Sequence, residues 1–347
     1  MNRKKQKLLL FATASLGVVL VLLQQSTAVE RFVTHARQAS GTPGSFGEGE
    51  SLQTLARYFR GEDESARSHA LQWIQTEAGK RYIAPVDAKI DPVWKAVPGY
   101  NGREVDVEKS LAAAEAKGYP MPPPLVYREI QPQIGLDQLG PHPVYKGNPN
   151  KRLVSFMINV AWGDEYLSKM LATLEKEGVH ATFFLDGMWL SKNVAMAKTI
   201  AEKGHELGNH AYSHKNMSTL SRGQNETEIV KTEKLLREQV GVDGGLFAPP
   251  SGDFNQTTVD VAHSLKLRTV LWTLDTVDWK KPPASSIIRK ISSRVEPGTL
   301  ILMHPTASSS EALPEMIRII RSKGLQLGTV SEVLSPQRLP EVESTGQ

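Results

Sequence analysis

Residues 153–187 read LVSFMINVAWGDEYLSKMLATLEKEGVHATFFLDG. The stretch opens on an apolar run of buried-strand length. Leu167, Met170, Leu171 and Leu174 then fall on one face at helical spacing, and Gly178 marks the helix stop. HATFFLDG supplies a second buried run. A strand, a helix and a further strand in this order predict a parallel βαβ unit.

The alternation continues downstream. Helical patterns in SKNVAMAKTIAEKG, NETEIVKTEKLLREQVG, TTVDVAHSLKL, SIIRKISSRV and LPEMIRIIRSKG separate the strand-like ELGNH, GLFAPP, RTVLWTLDT, GTLILMHP and LQLGTV. Seven strands over roughly 180 residues predict an α/β fold of barrel type rather than an open sheet. In such folds function collects at the C-terminal ends of the strands.

Upstream the texture differs. Arg3, Lys4, Lys5 and Lys7 precede sixteen residues, Leu8 to Leu23, that carry no charge, and STA at 26–28 offers small residues for cleavage. This is the build of a signal peptide or signal anchor over 1–28, which places the rest of the chain outside the cytoplasm, secreted or held at the outer face of the membrane. Residues 29–80 are expected as a linker with short helices, and 81–150 as a small α+β domain or lead-in. Residues 151–335 form the main domain, and 336–347 a polar, disordered tail.

Without the four leader cations, Lys+Arg equals Asp+Glu at 37, so the basic balance belongs to the leader and leaves no nucleic-acid footprint. There is no cysteine, which excludes disulfides, thiolate metal sites and a cysteine nucleophile.

The strand ends gather the chemistry. His210 and His214, in NHAYSH, are imidazoles at i and i+4 that can share one divalent metal. Asp275 and Asp278 stand in DTVDW, and His304 closes LILMH. A histidine beside a carboxylate suits a general acid.

The order NHAYSH, FAPPSG, LWTLDTVDW, GTLILMH resembles the polysaccharide deacetylase family, the NodB-homology carbohydrate esterases. VWKAVPGYNG and INVAWGDEY, with the leader, look more narrowly like the sporulation-associated deacetylases of spore-forming bacteria. The resemblance implies a distorted (β/α) barrel and a divalent metal at its rim, zinc, cobalt or manganese. It implies hydrolysis of N-acetyl groups on a peptidoglycan or chitin-like amino sugar. Carried over by position, it assigns the metal to His210 and His214, and the acid and its partner to His304 and Asp278.

Three family positions are altered. The two aspartates expected at the end of the first strand, a base and a third metal ligand, fall on Asn159 and Val160, or on Ala161 and Trp162 if Gly163 sets the register. The arginine expected before the double proline is Ala248. Losing base and arginine together avoids an unpaired buried charge. The metal is therefore expected to be weakly bound or absent. Asp164 and Glu165 are the substitute carboxylates to consider, ahead of Asp186 and Asp253; as residues at a helix start they also suit capping. Three readings follow: an N-deacetylase with a relocated carboxylate, a catalytically lapsed glycan-binding protein, and an exported scaffold.

Overall fold

A computed structural model describes residues 50–339. The expected leader, the linker up to residue 49 and the last residues of the tail, 340–347, lie outside the described residues. Among those described, no helix is long and apolar enough to cross a membrane.

The elements run α1 (Glu50–Lys80), β1 (Lys89–Asp91), β2 (Lys95–Val97), β3 (Gly102–Val105), α2 (Val107–Glu115), β4 (Tyr127–Ile130) and β5 (Leu153–Val160), and then α3 (Asp164–Lys176) and β6 (Thr182–Leu185). After these come α4 (Gly187–Lys192), α5 (Val194–Glu202), β7 (Glu206–Asn209), α6 (Arg222–Leu235), β8 (Leu246–Phe247), α7 (Gln256–Ser264) and β9 (Arg268–Thr269). The last are β10 (Leu274–Asp275), α8 (Ala284–Arg294), β11 (Leu300–Met303), α9 (Ala307–Ser322), β12 (Gln326–Leu327) and α10 (Val330–Leu334).

The chain divides into two units. One, containing α1 and α2, is helical. In place of the short helices expected before residue 80 there is one helix of 31 residues. In α2, the Asp106 side chain accepts from the Lys109 amide at 3.0 Å and satisfies an otherwise open donor of the first turn. Within the stretch 81–150, Val105–Val126 belongs to the helical unit, while Arg81–Glu104 and the residues from Tyr127 on belong to the barrel unit.

The barrel unit is a curled parallel sheet in the order β10-β11-β5-β6-β7-β8-β9, with β12 also paired to β5. Every ladder of this eight-stranded sheet is parallel, as the βαβ rhythm requires. β5 is central and fully buried. Its alternate residues separate two cores. Val154, Phe156, Ile158 and Val160 pack against Leu167, Met170, Leu171 and Leu174 of α3 and against Met316, Ile317 and Ile320 of α9. Leu153 and Met157 face the barrel interior with Phe184, Leu246, Ala248, Val270 and Leu300. Each such side chain contributes about 1.5–3 kcal/mol on burial, so the register of β5 is fixed on both faces.

The expected strand RTVLWTLDT is broken into β9 and β10, which are opposite edges of the sheet. Residues of the lead-in occupy the gap. The Val144 amide donates to Thr269 O at 2.9 Å, its carbonyl accepts from the Leu271 amide at 2.8 Å, and Thr273 Oγ1 donates to Tyr145 O at 2.6 Å. The tail also differs from expectation at its start. Pro336 O accepts from the Asn101 amide, Arg338 donates to Asn101 O, and buried Lys151 donates to Ser335 O. Pro336 and Arg338 are therefore held to Asn101, one through its main-chain carbonyl and the other through its guanidinium, by bonds that composition does not reveal.

Candidate functional site

The C-terminal ends of β5, β7, β10 and β11 surround a cleft of about 360 Å³ whose lining includes Asn159, Ala161, Trp162, His210, His214, Asp275, Trp279 and His304. The fold thus unites the residues that sequence places at separate strand ends.

The first histidine is fixed from behind. His210 is buried and its Nδ1 meets Ala248 O at 2.7 Å; a carbonyl only accepts, so Nδ1 carries the proton and Nε2 keeps its lone pair. Burial, with help from His214, pushes its pKa down to about 3, so the ring is neutral. The His214 ring lies 5.2 Å from it, centroid to centroid, at an interplanar angle of 73°.

The NHAYSH turn that presents this pair is strained. Ala211 and His214 both have positive φ, +59° and +53°. Asn209 Oδ1 accepts from the Ala211 amide at 2.8 Å, and Glu228 on α6 accepts from the Ser213 amide at 2.8 Å and the Tyr212 amide at 3.1 Å. Ser213 Oγ donates to the other Glu228 oxygen at 2.7 Å. Burial pushes the Glu228 carboxyl up, but these donors outweigh it and hold it below its ordinary range.

On the opposite side, Asp278 is fully buried. One of its oxygens faces His304 Nδ1 at 2.8 Å; the other accepts from the His304 amide at 2.6 Å and from Ser309 Oγ. Burial raises this carboxyl, but His304 and Ser309 together keep it below the usual carboxylate range. Asp278 is thus an anion that orients His304. Asp275 instead caps the turn that follows it, its Oδ1 accepting from the Val277 amide at 2.7 Å. Val277, β-branched at φ +58°, is strained in the turn between them.

The end of β5 corrects one position. Val160 points to the helix side and is buried among α3 and α9 residues, because side chains on a strand alternate faces. Val160 therefore never reaches the rim. Asn159, Ala161 and Trp162 line it instead. Asn159 is buried and its Oδ1 has no hydrogen-bond partner. The Trp162 indole stacks on the His304 ring at 5.7 Å and 9°. Gly163, at φ +89°, makes the turn into α3 at a point where a β-carbon would strike Pro305 O. Ala248, at the position where the resemblance leads one to expect arginine, is sealed in the barrel interior.

The substitute carboxylates are directed elsewhere. Asp164 and Glu165 line a second cleft of about 560 Å³, and Asp164 accepts from Trp189 Nε1. Asp186 caps α4 through a bond from the Trp189 amide at 2.9 Å; burial, its main influence, pushes its carboxyl up. Asp253 accepts from the Ser218 amide at 2.7 Å and from Ser218 Oγ at 2.9 Å.

The two imidazoles lie side by side at the rim, but a catalytic metal site of this kind takes three protein donors. Asn159 offers a neutral amide, Ala161 nothing, and Trp162 a ring already stacked. Among the described residues no three His, Cys, Asp or Glu side chains are placed to hold an ion. The residues present do not fit a firmly held metal. Sequence reasoning missed Glu228, Ser309 and the Trp162–His304 stack; only tertiary packing brings these together.

The sequence profile named polysaccharide deacetylase matches residues 146–270. The chain is 46% identical over 257 residues to the uncharacterised protein YlxY of Bacillus subtilis, covering 74% of this chain and 81% of that protein. It is 31% identical over 199 residues to a peptidoglycan-N-acetylglucosamine deacetylase of Bacillus cereus, covering 56% of this chain and 72% of the relative. The chain belongs to the polysaccharide deacetylase family. Within the family, carbohydrate esterase family 4, it is similar to the crystal structure of a pseudoenzyme of Bacillus anthracis: TM-score 0.71, 40% identity, covering 78% of this chain and 96% of that one. A mutant of that protein, described as having restored enzymatic activity, is matched at 39% identity with the same TM-score, covering 78% of this chain and 99% of the other. Deacetylases of the family are generally metal-dependent, so the missing third donor is a departure within a shared fold.

Proposed function

We propose that this chain is a catalytically lapsed polysaccharide deacetylase that binds a peptidoglycan or chitin-like amino-sugar polymer in the rim cleft without cleaving it. One observation carries the reading: the three residues that the end of β5 turns toward the cleft are Asn159, Ala161 and Trp162, so that strand supplies neither a base nor an anionic ligand. Asn159 cannot take a proton from water near neutral pH. What persists suits binding. Trp162 and Trp279, 45% and 50% exposed, both line the cleft as apolar surfaces for pyranose rings, and the buried Asn159 Oδ1 at its wall has no partner within the protein. The pseudoenzyme relative supports loss of turnover, and the deacetylase relatives support the class of polymer.

A second reading, residual N-deacetylase activity, rests on Asp275, the one carboxylate among the residues lining this cleft. Acetate release separates the two. Purified protein supplied with zinc and acetylated chitin oligomers or peptidoglycan is expected to retain the glycan and release no acetate above background. Release that disappears in His304→Ala would overturn the lapsed reading.

An extracytoplasmic location is part of the proposal and is supported by the cationic start followed by Leu8–Leu23. The setting of sporulation is proposed on the likeness of VWKAVPGYNG and INVAWGDEY to the sporulation-associated deacetylases.

A further inference from the structure

We propose that the second cleft, beside the histidine rim, binds the protonated amino group of a de-N-acetylated amino sugar. The protein would then read glycan that another enzyme has already deacetylated. The inference rests on the glycan-binding reading and deepens it.

The cleft is lined on its acidic wall by Asp164, Glu165 and Asp186, against a single lysine, Lys192. Asp186 is the decisive residue. It is 4% exposed, its Oδ1 is committed to the Trp189 amide, and its Oδ2 is buried with no partner. A buried carboxylate oxygen without a donor is costly, and native structures usually satisfy it. Capping α4 explains one oxygen and leaves the other unexplained. Trp189 joins the acids into one wall, because its amide bonds Asp186 and its indole N–H bonds Asp164.

The shape of the unfilled requirement selects the ligand. A metal ion would need several donors converging on one point, and no three such side chains do so among the described residues. An ammonium group asks for less: one buried anionic acceptor, further negative charge nearby and an aromatic face. Trp162 provides the face. It lines both clefts, as do Ala161 and His214, so the two clefts are neighbours that share a wall at the rim. One sugar ring stacked on Trp162 can extend its amine toward Asp186 while the next ring enters the histidine cleft. The class of reaction that must supply this ligand is amide hydrolysis on the same polymer, which releases acetate and leaves a free amine.

Calorimetric titration of the full chain in detergent, with a fully deacetylated chitosan tetramer and a fully acetylated chitin tetramer at neutral pH, tests the idea. The chitosan tetramer should bind more tightly. Asp186→Asn keeps an acceptor for the Trp189 amide and removes the charge; it should weaken chitosan binding by about tenfold, leave chitin binding unchanged and not lower the thermal stability. Chitin binding without a preference for chitosan, a chitosan affinity that Asp186→Asn does not change, or equal binding of pentalysine would each overturn this inference and leave the glycan-binding reading standing. If neither tetramer binds, both fail.

Discussion

At the scale of single residues, the burial of imidazoles divides the histidines by function. His304 keeps a carboxylate partner and one edge at the cleft, and His210 is locked as a neutral donor by Ala248 O. His205 lies just before β7 at the opposite end of the barrel, buried, with its Nε2 unpartnered. Burial, reinforced by His180, pushes its pKa from 6.5 down to about 4. The unfolded chain therefore takes up this proton below pH 6.5 while the folded chain refuses it until about pH 4. Stability is complete above that window and falls as pH drops through it, by up to about 1.4 kcal/mol per pH unit from this group. Urea unfolding at a series of pH values should show the slope, and His205→Asn should flatten it. These assignments were only partly legible in the sequence. A histidine at a strand end is visible there; its depth is not.

At the scale of elements, the NHAYSH turn depends on α6, which follows it in sequence and holds it in space. Ser221 begins α6 with a capping box, its hydroxyl accepting from the Gln224 amide at 3.3 Å, and this sets the helix phase that directs Glu228 at the turn. Glu228 in turn accepts from two amides and a hydroxyl, enough to keep Ala211 and His214 at positive φ. Glu228→Ala should cost about 1–3 kcal/mol by leaving those amides unpaired, and Glu228→Gln, which retains an acceptor, should recover most of it. Chemical denaturation measures both, and equal losses in the two variants would show that hydrogen bonding is not what holds the turn. The NETEIV stretch is evidently helical from its sequence, but nothing in it announces which turn its buried glutamate supports.

At the scale of the molecule, a parallel sheet with helices outside has preserved its rim while the chemistry at the end of β5 has changed. The strand lies between two cores, so its register is held by packing that owes nothing to the rim residues. Residues 161 and 162, beyond its last buried position, are accordingly the ones free to vary. Restoring the acids there by the pair Ala161→Asp and Trp162→Asp should give His210 and His214 an anionic co-ligand. Zinc affinity is expected to rise by at least about tenfold over the unaltered protein, a lower bound set by the loss seen when even an outer partner of a metal ligand is removed. Equilibrium dialysis with metal analysis reads this directly, and unchanged uptake would place the altered pair somewhere other than 161 and 162.

By itself the sequence determined the βαβ alternation, the central buried strand and the family, because apolar periodicity and the NHAYSH, DTVDW and LMH blocks are local signals. It also showed that carboxylates were missing near Asn159. Only the tertiary structure decided which residues their absence exposes. A strand turns alternate side chains to opposite faces, and packing alone chooses the face: Val160 went to the helices, while Asn159 faced the cleft with Ala161 and Trp162 beyond it. The same packing carried Asp164, Glu165 and Asp186 to a neighbouring cleft, brought Glu228 beneath the histidine turn and set Trp162 against His304. Contacts of this kind join residues far apart in the chain, and no local pattern encodes them.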